Sequence, residues 1–367
     1  MIELTALQTR QLRLRAQRLL RPGVSLDEAP AAVLSTIGGV QAQDFLAGML
    51  SLRARSAGLT AAQVELARLE AHTVAWTWCQ RGTLHMVSAA DARWLIPLLG
   101  PELIAGDRRR LFELGWDEHS AQVGLRLLYE SLQERGELAR SQIVRLLQKN
   151  NLPYEGQAPV HLLFRAALEG RLLRGRRLGR EEVYVPFEPW LGELQPLPRP
   201  DALARLAERY LTAYAPAAPV DLTRWSGLKI GEARLAFQLI SNQLVEVKAA
   251  NQPAWMLKSQ LAWLGETLDI NPVVRLLPRF DTYLLGYANR DLTIDQQYAP
   301  HIFVGGIIKP ALLIDGRVCG TWSLEKRKQR LEIRVQAFEA LDDALTLPIE
   351  AEVADIERYL GERPAIY

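Results

Sequence analysis

The sequence predicts an α+β chain: three tandem winged-helix units followed by a C-terminal β-rich part. Three observations lead there. A plan of short helices and then a hairpin occurs at 121–187, recurs at 201–258, and fits 1–100 in a more degenerate form. From Val273 onward short β runs replace that plan. The 367 residues, 49% hydrophobic and 23% charged, suffice for two to three domains of about 100–200 residues each. The expected division is 1–100, 101–196, 197–270 and 271–367.

In the first unit Gly38-Gly39 should end one helix and Asp44 should cap the next, FLAGMLSLRAR. TAAQVELARLE reads as a further helix. AWTWCQ and TLHMVS flank Arg81-Gly82 as hairpin strands, and Gly100-Pro101 closes the unit. In the second, AQVGLRLLYESLQERG is helical, Ser141 is a candidate cap for GELARSQIVRLLQKN, and APVHLLFRAALEGRL runs from Pro159 to Gly170. LLRGRRLGREEVYVPF then forms the hairpin, and Pro196, Pro198 and Pro200 mark a linker.

The third unit repeats the order. DALARLAERYLTAY is helical, Asp221 precedes a short helix to Gly227, and KIGEARLAFQLISNQ follows. LVEVKAANQPAWMLK is a hairpin with Asn251 in its turn. Beyond it VVRLLP, YLLGY, IFVGGIIKPALLI, RVCGTWSL and RLEIRVQAF read as β runs, and ALTLPIEAEVADIERYLG as a final helix.

Composition excludes several classes. Cys79 and Cys319 are too few for a disulfide framework and lack CxxC spacing, which predicts a cytoplasmic chain. Arg10, Arg13, Arg15 and Arg18 interrupt any signal-peptide core, and no apolar run approaches the roughly 18 residues that span a bilayer. There is no HExxH, paired CxxC, Walker A loop or GxSxG elbow. The five histidines (72, 85, 119, 161, 301) show no ligand spacing, so neither metal nor cofactor is expected. The net charge is only +2, yet 37 of the 44 basic residues are Arg. Arginine forks suit phosphates, although a GC-rich genome produces the same skew.

One short stretch stands apart, Val40-Gln41-Ala42-Gln43, lying between the glycine pair and Asp44. On a helix residues i and i+2 diverge by about 200°, whereas in an extended or irregular turn they share a side. Gln41 and Gln43 therefore read either as polar turn residues or as two amides holding a water, a sugar oxygen or a base edge. Asp44 reads as a cap or as a base, and Trp76 and Trp78 as core or as base-stacking surfaces.

Gly39–Gln43 resembles the Gln-Φ-Gln signature of the AlkZ-like winged-helix DNA glycosylases. Arg81-Gly82-Thr83-Leu84-His85, Leu277-Pro278-Arg279-Phe280-Asp281, Asn289-Arg290-Asp291 and 315–322 resemble the same family, in the same order. The resemblance implies three winged helices in a C-shaped DNA channel and a barrel-like C-terminal part. It implies a monofunctional enzyme that hydrolyses the N-glycosidic bond of alkylated purines, mainly N7-alkylguanine, including unhooking of interstrand crosslinks. Gln41 and Gln43 match its catalytic pair, and duplex DNA carrying alkylated bases becomes the expected partner of a monomeric, nucleoid-associated protein.

Candidate DNA contacts are Arg174, Arg176, Arg177 and Arg180 in the second unit's wing, with Lys326, Arg327, Lys328 and Arg330 in a C-terminal hairpin. The family places a lesion-probing hairpin in the latter region. Arg108–Arg110 form a third basic run. The alternative is a non-catalytic winged-helix regulator, for which basic wings suffice; a lesion-sequestering protein is a third reading.

Overall fold

A computed structural model describes residues 2–20, 29–179, 181–266, 272–327 and 330–361. The fold is mixed α+β and divides into two compact units, one of residues 65–202 and one joining 1–64 to 203–365. Among the described residues no helix is long and apolar enough to cross a membrane.

In the 65–202 unit, Val74–Trp78 and Leu84–Ser88 pair antiparallel with Trp76 opposite Met86. Every position of both strands is buried, which explains their near-continuous apolar character. Ser88 then caps the helix Ala89–Glu113, its hydroxyl accepting from the Asp91 N–H at 3.1 Å.

This helix runs unbroken through Pro97, Gly100 and Pro101, so Gly100-Pro101 ends no element. Gly100 permits a close approach: a Cβ there would lie 2.5 Å from the carbonyl oxygen of Leu168, at the end of the helix Ala158–Leu168. Gly100→Ala should therefore cost about 1–3 kcal/mol through overpacking. Urea unfolding checks it, and an unchanged midpoint would contradict this reading of the glycine.

Helices Glu118–Arg135, Arg140–Lys149 and Ala158–Leu168 precede the hairpin Leu172–Leu178 with Glu181–Pro186, to which Leu138–Ala139 adds a third strand. Ser141 does not cap the middle helix. Ala139 occupies the cap position, and its N–H donates to Gln142 Oε1 at 2.7 Å. Ala75, Val87, Ile96, Leu173, Val185 and Phe187 form one core of this unit.

The other unit carries Arg199–Tyr214, Pro219–Ser226 and Ile230–Leu239, then the hairpin Leu244–Ala249 with Gln252–Leu257. Asn251 turns it in the left-handed region (φ 68°), and Ile2–Leu4 adds a parallel strand. Pro200 belongs to the first turn of its helix rather than to a linker. Asp221 lies inside the short helix, where its carboxylate accepts from the Ala218 N–H at 2.9 Å.

The C-terminal strands form an open antiparallel sheet in the order Val274–Leu277, Ala311–Ile314, Arg317–Arg327, Arg330–Ala337. The barrel expectation is thus corrected among the described residues: the first and last strands do not pair, and the helix Thr346–Leu360 packs beside Val274–Leu277. YLLGY is not a strand either. Asp281 caps a short helix there, Thr282–Leu285, by accepting from the Tyr283 N–H at 2.9 Å.

Candidate functional site

The helix Pro30–Ile37 ends on Gly38 at φ 75°, and Gly39 follows at φ 92°. Glycine is needed at 38 twice over, since a Cβ would also stand 2.9 Å from the Trp225 ring. The chain then runs extended through Val40–Gln41 and bends at Gln43 and Asp44. Asp44 caps Phe45–Arg53, accepting from the Ala47 N–H at 3.2 Å. Gln41 is 7% exposed whereas Gln43 is exposed, so the segment passes from interior to surface within three residues. Ala42 between them is fully buried against Gly48, where an added Cβ would meet the Ala42 Cβ at 2.8 Å. That bare backbone at Gly48 sets how closely the segment lies on its helix.

A buried ionic lattice holds the same helix from behind. Arg53 donates to Glu352 at 2.9 Å and to the Leu276 carbonyl at 2.8 Å. Glu352 also accepts from Arg275 at 3.0 Å and from the Leu276 N–H at 2.9 Å. Arg55 makes two 2.8 Å bonds to Asp281, which also accepts from Ser51 at 2.8 Å, and neither partner's side chain has any exposure. The Leu277–Asp281 motif therefore serves the glutamine segment from more than 200 residues away in sequence. Its Arg279 reaches the second oxygen of Asp44 at 3.4 Å. Both Asp44 oxygens are thus engaged, one in the cap and one with Arg279.

Asp44 and Ala47 border a cleft of about 890 Å³, lined further by Arg279, Lys309, Trp322, Arg334 and the stacked rings of Tyr298 and Phe338. Of the three cations there, Arg279 is paired with Asp44 at 3.4 Å and Arg334 with Glu332 at 2.7 Å. Lys309 and Arg334 had no local sequence signal; Arg279 had one, in its motif.

The basic clusters are placed unequally. Arg174 turns inward, only 8% exposed, with its guanidinium 2.5 Å from Glu182 and near the Trp76 and Trp78 rings at 4.8 and 5.3 Å. A DNA contact from Arg174 would require this pairing to open. Arg174 pairs with Tyr184 in the regular register, on the same face as buried Leu172 two residues earlier; the register shift follows it, before Arg177. Arg176 is exposed and paired with Glu137, and Arg177 is half-buried. Arg180 and Lys328 lie outside the described residues. Lys326 and Arg327 pair with Leu331 and Arg330 at the far end of the C-terminal hairpin. Arg108, Arg109 and Arg110 are exposed, the latter two paired with Glu113. Trp76 and Trp78 belong to the core.

His85 is buried, and its ring donates from Nδ1 to the Thr83 carbonyl at 2.9 Å. Burial first, and then the Arg81 charge, push its pKa down to about 3. It is therefore a neutral imidazole at physiological pH and no proton donor of the imidazolium type. Among the described residues no group of His, Cys, Asp and Glu could hold a metal ion.

The family model described as DNA glycosylase AlkZ-like matches residues 34–359. An interstrand DNA cross-link repair glycosylase from Streptomyces sahachiroi is 26% identical over 371 residues, covering 94% of this chain and 95% of that one. The solved structure of the Streptomyces sahachiroi DNA glycosylase AlkZ superposes with a TM-score of 0.82 at 22% identity, covering 98% and 97% of the two chains. The similarity spans both compact units.

Proposed function

Because this chain belongs to the AlkZ-like DNA glycosylase family, it is a DNA glycosylase, and we propose that it removes N7-alkylated purines using water positioned by Gln41 and Gln43. The observation that carries this reading is the glutamine segment itself: it is held out of helical geometry by Gly38-Gly39 and the Asp44 cap, inside the matched region. The regulator reading does not stand beside family membership. The Streptomyces relative is named for crosslink repair, and we extend that substrate class to this chain. We also retain the finer division into winged-helix units at 1–100, 101–196 and 197–270 as our own, with the protein acting as a monomer on duplex DNA.

An amide is a poor base, so the chemistry must ask little of it. Alkylation at N7 makes the purine cationic. When the bond between C1′ and N9 breaks, the base takes the bonding electrons and leaves neutral, without needing an acid. The sugar is left as an oxocarbenium ion, water adds to C1′, and its proton passes to solvent. Two amide oxygens supply orientation and partial negative charge beneath C1′, which are positioning and electrostatic contributions.

The proposal is tested by base release from two duplexes, one carrying N7-methylguanine and one uracil. Release of 7-methylguanine with negligible release of uracil is expected, since uracil departs without a positive charge to lose. Equal release from both would contradict the amide mechanism. A supporting variant is Gly48→Ala, whose methyl must displace Ala42. Misplacement near 1 Å can cost about 10²-fold, so single-turnover release should fall about 10- to 100-fold at unchanged duplex affinity. Wild-type release by this variant would show that the Ala42 contact does not set the glutamines.

A further inference from the structure

The Asn289-Arg290-Asp291 motif and the depression it lines take no part in the glutamine site. Arg224, Ala288, Asn289, Arg290 and Asp291 surround a space of about 610 Å³. Two elements supply the cations. Arg224 is exposed on the helix Pro219–Ser226, and Arg290 is half-buried on the 288–291 loop. Asp221 ties loop to helix: one oxygen accepts from the Ala218 N–H at 2.9 Å and the other from the Ala288 N–H at 2.8 Å. The Arg290 guanidinium lies 3.9 Å from the Phe303 ring centroid, which fixes its plane. Its Nε is buried without a hydrogen-bond partner.

Neither guanidinium has a carboxylate within 4 Å among the described residues. Asp291, the acid on the rim, is engaged with Asn289, accepting from Nδ2 at 3.0 Å while its own N–H donates to Asn289 Oδ1 at 2.7 Å. Burial first, and then the Arg224 charge, pull the Arg290 pKa below its ordinary value. Two like charges held at one depression cost Coulomb energy that an intervening anion would offset. Planar forks of this kind match phosphate oxygens in pairs.

We propose that Arg224 and Arg290 form a clamp for one backbone phosphate of duplex DNA. The clamp rests on the reading of this protein as a DNA glycosylase, and it adds a contact outside both basic hairpins. A free phosphate shares the chemistry, so the experiment must separate the two sources.

The test is fluorescence anisotropy with an undamaged duplex at 50 and 200 mM salt, for wild type, Arg224→Gln and Arg290→Lys. Each loss of one phosphate contact should lower the salt slope by about one unit, so wild-type affinity falls about threefold more across that range than Arg224→Gln affinity. At 50 mM the Arg224→Gln variant should bind about fivefold more weakly. Arg290→Lys keeps the charge but loses the fork and the stack, and should fall between the two. Arg224 is at the surface, so its replacement leaves the fold intact, and a thermal melt verifies this. Unchanged affinity and slope in both variants would overturn the proposal. It would equally be overturned if inorganic phosphate at matched ionic strength stabilised wild type but not Arg224→Gln, with DNA affinity unaltered, because the site would then take the free anion. No base release enters this test, so its failure is distinct from failure of the substrate assignment.

Discussion

Asp281→Asn is expected to destabilise the protein by about 3–5 kcal/mol, the range for breaking a buried ion pair from one side. The Asp281 carboxylate accepts two bonds from Arg55, one from Ser51 and one from the Tyr283 N–H. Asparagine keeps the shape but loses the charge, and its NH₂ would face donors of Arg55. Arg55 is fully buried, so its charge would be left uncompensated away from water. Equilibrium urea unfolding at neutral pH measures the loss. A decrease under about 1 kcal/mol would show that the pair is dispensable. A double variant, Arg55→Met with Asp281→Leu, should be less damaging than Asp281→Asn, since removing both charges avoids the orphan.

Loss of either glutamine amide is the second large effect. Gln43→Ala should reduce single-turnover release of 7-methylguanine by about 10²–10³-fold, the scale on which one preorganised polar group contributes. Gln43 is exposed, so the fold and the duplex affinity should be unchanged. Gln41→Ala should slow release comparably but also lower stability, because Gln41 is buried. A pH–rate profile separates positioning from proton transfer. With no titrating base among the acting groups, the wild-type rate should be flat between about pH 6 and 8.

Much of the fold was legible because it is local. The glycine pair, the Asp44 cap and the hairpins around Arg81-Gly82 and Asn251 follow from short-range rules. What escaped depends on tertiary packing. Gly100-Pro101 looks like a break, yet Gly100 is there for the approach of Leu168. YLLGY has strand composition, but the Asp281 cap makes it helical. Arg174 sits in a basic run, and only its burial and its Glu182 partner reveal that it faces inward.

The site was legible to a similar depth. Gln41 and Gln43 could be singled out from adjacent breakers and a resemblance. Their support could not, because Arg55 and Asp281 are 226 positions apart and both look like ordinary surface charges in the sequence. Lys309 and Arg334 line the cleft beside Asp44 only because the C-terminal sheet brings them there.

The most direct test of the central claim is single-turnover release of 7-methylguanine from a singly modified duplex, wild type beside Gln43→Ala, with the bound fraction matched by anisotropy. Release by wild type and its near-complete loss in the variant at equal occupancy are expected. Equal rates from the two proteins would contradict it and move the chemistry away from the glutamine pair.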